Sequence, residues 1–114
     1  MNSVYMKIVG CMQVGGNCSW ILDSSLTNMS EIVDEIVLVG GSVSDDSKKI
    51  IERCNKVVET NFYSDNQSRI KWKDMNSLLL MAKNHGADWI LFMDADETFE
   101  PRFKTTIRNY INNA

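Results

Sequence analysis

The sequence predicts an α/β fold: a doubly wound, mostly parallel sheet of about four strands with flanking helices. Apolar runs of strand length alternate four times with segments of helical spacing, which is the pattern of successive βα units. Two of the runs close on glycine pairs and one on an acidic turn, as strands do when they deliver loops to one edge of a sheet. No repeat, low-complexity tract or composition shift marks a linker, so residues 1–114 read as a single domain.

Residues 4–12 mix β-branched and apolar side chains and run into Gly15-Gly16, a strand entering a tight loop. Asn17 or Ser19 can cap the helix that follows, whose apolar positions include Ile21, Leu22, Leu26 and Met29. Residues 35–39 form a short continuous apolar run closed by Gly40-Gly41, as expected of a strand covered on both faces. Ser44 caps a second helix with Asp45 and Asp46 in its first turn and Lys48, Lys49 and Arg53 later, an order that complements the helix dipole. Residues 56–60 are the third strand. After a polar loop through Asp65 and Arg69, the positions of Trp72, Met75, Leu78, Leu79 and Ala82 have helical spacing, and Gly86 stops them. Residues 88–93 are the fourth strand, leading directly into Asp94-Ala95-Asp96-Glu97. Pro101 stands near the start of a last helix, where a missing N–H costs nothing.

Right-handed crossovers put the ligand crevice of such a sheet beyond the carboxyl ends of its strands, where strand order reverses. With the first and fourth strands as neighbours there, the loops at residues 12–17, 40–44 and 94–97 converge. Two carboxylates spaced i, i+2 at that edge suit a hard divalent cation, Mg²⁺ or Mn²⁺, shared with phosphate oxygens. The competing reading of Asp94 to Glu97 is a solvated acidic turn. The glycine pairs permit close backbone approach to a ligand, or serve as plain turns. No G-K-[ST] ending and no G-x-G-x-x-G occurs, so a P-loop or dinucleotide fingerprint is excluded. His85 reads as a surface residue at a helix end, Cys11 as core, Cys18 as a helix-start residue with no base beside it, and Leu78 to Met81 as packing.

A net charge of −3, from 12 basic and 15 acidic residues, offers no field for nucleic acid or an anionic membrane. The longest apolar runs fall far short of the ~20 residues of a membrane span. Three cysteines, odd in number and without C-x-x-C spacing, suggest neither a disulfide framework nor zinc. With no signal-peptide pattern at the N-terminus, the expected location is the cytoplasm.

Asp34-Glu35-Ile36-Val37-Leu38-Val39, then Asp45, then Asp88 through Glu97 and Pro101 resemble the amino-terminal half of a family 2 glycosyltransferase with the GT-A fold. The segment from Asn76 to Ala87 resembles the helix that carries an R-N pair in that family. The resemblance implies a transferase half that binds a nucleotide-diphosphate sugar for transfer to an unknown acceptor. It implies Asp94 near the ribose and Asp96 on a Mg²⁺ or Mn²⁺ ion bridging the diphosphate. The expected donor contacts are Asp94, Gln13, Gly15, Gly40 and Gly41, with no catalytic base assigned.

The chain departs from the family pattern at Gly40 and Gly41, where one or two acidic residues are usual, in the first loop, which reads Gln13-Val14-Gly15-Gly16-Asn17, and at Met75, which replaces the arginine of the R-N pair. It also stops about one helix after the acidic motif, which implies an enzyme lacking its acceptor half. A half-domain of that kind is expected to self-associate through the face that would have met the other half. The alternatives are a non-catalytic nucleotide-sugar-binding or assembly module and, from the D-x-D-x-T pattern at Asp94 to Thr98, a fragment of a haloacid-dehalogenase-type phosphatase.

Overall fold

The computed structural model describes residues 5–15, 18–64, 71–95, 100 and 102–113. Val4, Gly16, Asn17, Asp65, Arg69, Asp96, Glu97, Thr98 and Pro101, each given a part by the sequence, lie outside the described residues, as does the side chain of Trp72. Strands and helices alternate strictly: β1 Ile8–Gly15, α1 Ser19–Ser30, β2 Glu35–Gly41, α2 Asp45–Glu52, β3 Val57–Tyr63, α3 Lys71–Asn84, β4 Trp89–Phe92 and α4 Phe103–Asn112. The four strands form one sheet in the order β3-β2-β1-β4, every pair parallel. β1 and β4 are neighbours at the reversal of strand order, as expected, with Ile8 opposite Trp89 and Cys11 opposite Phe92.

Alternation along the strands divides the core in two. Ile8, Met12 and Val14 of β1 and Ile36 and Leu38 of β2 face one side, where Leu22, Leu26 and Met29 of α1, Ile51 of α2 and Ile111 of α4 cover them. Val9, Cys11, Val37 and Val39 face the other side, covered by Leu78, Met81 and Ala82 of α3. Right-handed crossovers account for this split. The chain steps from β1 to β2 to β3 in one direction and then returns over the sheet to β4, so α3 must cross the opposite face. Leu79 and Leu80, expected as packing, are exposed, because a helix on a sheet buries one stripe and these two lie beside it.

All four strands differ from expectation at one or both ends, because a strand extends only as far as its partners. β1 begins at Ile8, where pairing with β4 begins. β2 runs through Gly40 and Gly41, which pair with Val14 and Gly15 on one side and Phe62 and Tyr63 on the other, so they are strand residues and not the loop after it. β3 continues to Tyr63; as an edge strand its middle is exposed, and polar Thr60 and Asn61 hide it from a hydrophobic pattern. The α1 N-cap is Cys18, whose side chain makes no capping bond, whereas Ser44 caps α2 as expected, its Oγ accepting from the Ser47 amide at 3.2 Å.

The amino edge of the sheet is stitched by two aspartates. Asp34 Oδ2 accepts from the Ile8 amide at 2.8 Å, and Asp88 Oδ2 from the Lys7 amide at 2.8 Å, so the residues preceding β2 and β4 hold the start of β1 between them. Asp34 also accepts from Tyr5 and from Arg108 of α4 at 3.4 Å, while Arg108 Nη1 donates to the Met6 carbonyl at 2.7 Å. At the carboxyl end of α3, Gly86 takes a φ of 79°, the left-handed position that ends a helix without a Cβ penalty. His85 beside it bonds Glu59 of β3 at 2.8 Å, a surface tie, in keeping with its expected place.

Candidate functional site at the carboxyl edge

β4 stops pairing at Phe92, opposite Cys11, while β1 continues to Gly15. A notch therefore opens beside the last residues of β1, on the face that α3 covers. It is a cavity of about 230 Å³ lined by Cys11 and Gln13 of β1, Met75 and Leu78 of α3, and Phe92, Met93 and Asp94 at the end of β4. Gln13 and Asp94, both expected at a donor site, thus come together in one cavity. Gln13 belongs to β1 itself and not to the loop after it; its parity matches Val9 and Cys11, which turns it toward α3.

Asp94 is set by its neighbours. Met93 is buried in the larger core, and its amide donates to the Cys11 carbonyl at 3.1 Å, continuing the β1 ladder by one bond. The Ala95 carbonyl accepts from Ser25 Oγ, a fully buried hydroxyl of α1. With both flanks fastened to the α1 side, the exposed Asp94 side chain is directed to the α3 side. Ser25 carries no sequence signal beyond a polar residue on the apolar face of a helix. Asp96 lies outside the described residues, and no group of three potential metal ligands is found among those that are described.

Behind the cavity lies a polar cluster that the sequence did not single out. Asp74, in the first turn of α3, is 6% exposed. It accepts from the Tyr63 hydroxyl at 2.9 and 3.1 Å and from Gln13 Nε2. The three residues come from β1, β3 and α3, so no spacing in the sequence could announce them. A helical first-turn aspartate is ordinarily an exposed partner of the dipole.

Gly40 and Gly41 have packing reasons to lack side chains. A Cβ on Gly40 would stand 2.0 Å from the Val14 carbonyl oxygen, and one on Gly41 would stand 2.6 Å from Cε2 of Tyr63. The two glycines let β1, β2 and β3 close together at this edge. Gly15, the last residue of β1, pairs with Gly41. Cys11 is buried, and desolvation pushes its thiol up to about 12, so it is wall and not nucleophile. A larger cavity of about 420 Å³ lies at the opposite, amino edge, among Tyr5, Asp34, Lys56, Lys104 and Arg108. Lys56 there donates to the carbonyls of Ser30 and Val33, and Arg108 to Met6 and Asp34, so its main cations serve to fasten the fold.

No protein-family model matches the sequence, and no curated protein sequence matches it. Among solved structures the chain is similar to the crystal structure of S. aureus TarS, a glycosyltransferase, with a TM-score of 0.70 at 19% identity. The chain has a glycosyltransferase-like fold. The superposition takes in 95% of this chain and 20% of TarS, so the chain spans about a fifth of that structure's length. Among the described residues no helix is long and apolar enough to cross a membrane.

Proposed function

We propose that the chain is the donor-binding part of a family 2-like glycosyltransferase, holding a nucleotide-diphosphate sugar at the carboxyl edge of β1 and β4. The observation that supports it most is the cavity shared by Gln13 and Asp94 at the reversal of strand order, in a fold similar to a glycosyltransferase over nearly all its length. Asp94 contacts the ribose, and Gln13 with the backbone at Gly15, Gly40 and Gly41 lines the nucleotide's approach. An acidic turn at the chain's exit from β4 suits a hard cation, and Asp96 would hold Mg²⁺ or Mn²⁺. When bound, such an ion neutralises the departing nucleoside diphosphate. The chain's own part is to orient the donor: Ser25 fixes the backbone after Asp94, and the apolar walls exclude water from the base.

A second reading, a donor-binding module without transfer activity, is favoured by the packing at Gly40 and Gly41, which leaves no room for the usual carboxylates, and by Met75 in the place of the usual arginine. Calorimetric titration with UDP and GDP and their sugars, with and without Mn²⁺, tests the shared claim. Binding that requires both Mn²⁺ and Asp96 is expected. If no nucleotide binds at millimolar concentration in either condition, the donor site is refuted. If binding ignores both Mn²⁺ and Asp96→Asn, the metal role is refuted. Hydrolysis or transfer of the bound sugar separates the enzyme from the inert module.

A further inference from the structure

An ionised carboxylate can only accept hydrogen bonds, whereas a carboxamide has one end of each kind. Asp74 Oδ2 takes the Gln13 amide nitrogen and the Tyr63 hydroxyl together, in a place where the carboxylate is almost wholly buried. Turning the Gln13 amide over would set its carbonyl oxygen directly against that carboxylate, two acceptors in contact with no proton between them. The chemistry therefore decides the amide's orientation. No donor among the described residues reaches the Gln13 Oε1 atom, and Gln13 lines the cavity.

The remaining walls of that cavity are Cys11, Met75, Leu78, Phe92 and Met93 with the Asp94 carboxylate, and there is no basic side chain among its described lining residues. The apolar walls leave a phosphate's charge uncompensated and the carboxylate repels it, whereas a flat ring is favoured. A volume of about 230 Å³ is below the roughly 300–1,000 Å³ of a site that encloses a whole drug-sized ligand, so it takes a part of one.

We propose that Asp74, clamped by Tyr63, is a positioning residue that leaves the Gln13 carbonyl oxygen for the cavity, making Gln13 the acceptor that reads a ring N–H of a nucleotide's base. The inference rests on the donor-site reading above and adds the base class: a base with a ring N–H, uracil or guanine, that donates. Cytosine and adenine present a ring nitrogen lone pair at the corresponding edge and leave the oxygen without a partner.

The test is calorimetric titration of the whole chain, with Mn²⁺ present, by UDP, CDP, GDP and ADP. UDP is expected to bind at least about tenfold more tightly than CDP, or GDP than ADP, because a site built to pair one polar group rejects a ligand that lacks it. Which pair shows the preference identifies the base. Gln13→Ala should abolish the preference while leaving binding through the phosphates. Asp74→Asn, whose amide can donate to Gln13 Oε1, should turn the carboxamide and abolish or reverse it. Circular dichroism checks the fold of each variant; if the Asp74 variant does not fold, Gln13→Ala at its half-buried position decides the matter. Equal binding by the wild type of nucleotides with and without a base ring N–H, or an unchanged preference in Gln13→Ala, overturns this inference alone. No binding by any of the four overturns the donor-site reading, and this inference with it.

Discussion

Replacing Gly40 by alanine should damage this fold far more than replacing Gly10, although both are buried strand glycines. At Gly40 a Cβ would lie 2.0 Å from the Val14 carbonyl oxygen and 2.8 Å from Val14 Cγ2. Carbon and oxygen sit comfortably at about 3.3–3.6 Å, so the neighbouring β1 backbone must retreat by more than about 1 Å. That retreat strains the β1–β2 ladder at its last pairs, Val14 with Gly40 and Gly15 with Gly41. Overpacking costs about 1–3 kcal/mol and each weakened ladder bond about 1 kcal/mol, so about 3 kcal/mol or more is expected. At about 4–8 °C per kcal/mol, the midpoint should fall by at least about 10 °C. At Gly10 the nearest atom is Met29 Sδ at 2.6 Å, the far part of a flexible thioether that can turn aside, and alanine also restricts the unfolded chain. About 1 kcal/mol or less is expected there. Thermal unfolding followed by circular dichroism compares the two directly. A Gly40→Ala midpoint within a few degrees of wild type, or a Gly10→Ala protein that is the less stable, would refute the claim that backbone closure at this edge is what requires glycine. The same closure excludes the acidic side chains that resemblance leads one to seek at these positions.

Burial works to raise the Asp34 carboxyl, but the Tyr5 hydroxyl, the Ile8 amide and Arg108 outweigh it and hold the group below its ordinary value. A folded-state pKa below the unfolded one stabilises the fold above the ordinary carboxylate range and is lost as pH falls through it, so stability should drop below about pH 4. Asp34→Asn should lower stability at pH 7 by about 1–3 kcal/mol and flatten that acid limb, as chemical unfolding at several pH values will show. Of the three thiols, Cys11 should resist iodoacetamide at pH 8 until the chain unfolds, since burial holds it protonated; labelling at the rate of Cys18 and Cys54, read by mass spectrometry, would contradict this. Met75 and Phe92 of the cavity lining are exposed, and self-association through that face is expected; light scattering from a monomer over a wide concentration range would exclude it.

Most of the architecture was legible along the chain because it is local. Ser44 before Asp45 and Asp46 caps α2, Gly86 ends α3, and strand-length runs separated by amphipathic segments leave a parallel α/β sheet as the arrangement that buries the central ones. The acidic motif after β4 was legible for the same reason, and its Asp94 lies at the edge where such a sheet presents ligands.

What could not be read depends on residues far apart in the chain. Polar Thr60 and Asn61 give no hint that β3 continues to Tyr63, because pairing with Val39, Gly40 and Gly41 on β2 extends it. Gly40 and Gly41 look like a turn and are strand, since a glycine pair reads alike whether the space it leaves is needed by a loop or by a neighbouring backbone. Periodicity cannot see that Asp34 and Arg108, 74 positions apart, fasten the amino edge together. The cluster of Gln13, Tyr63 and Asp74 is the clearest case. The sequence by itself determined which segments become strands and helices, and hence that the carboxyl edge of the sheet carries Gln13 and Asp94. Only the tertiary structure decided that a carboxylate on α3 orients the Gln13 amide, because hydrogen bonds between side chains follow distance in space and leave no period in the sequence.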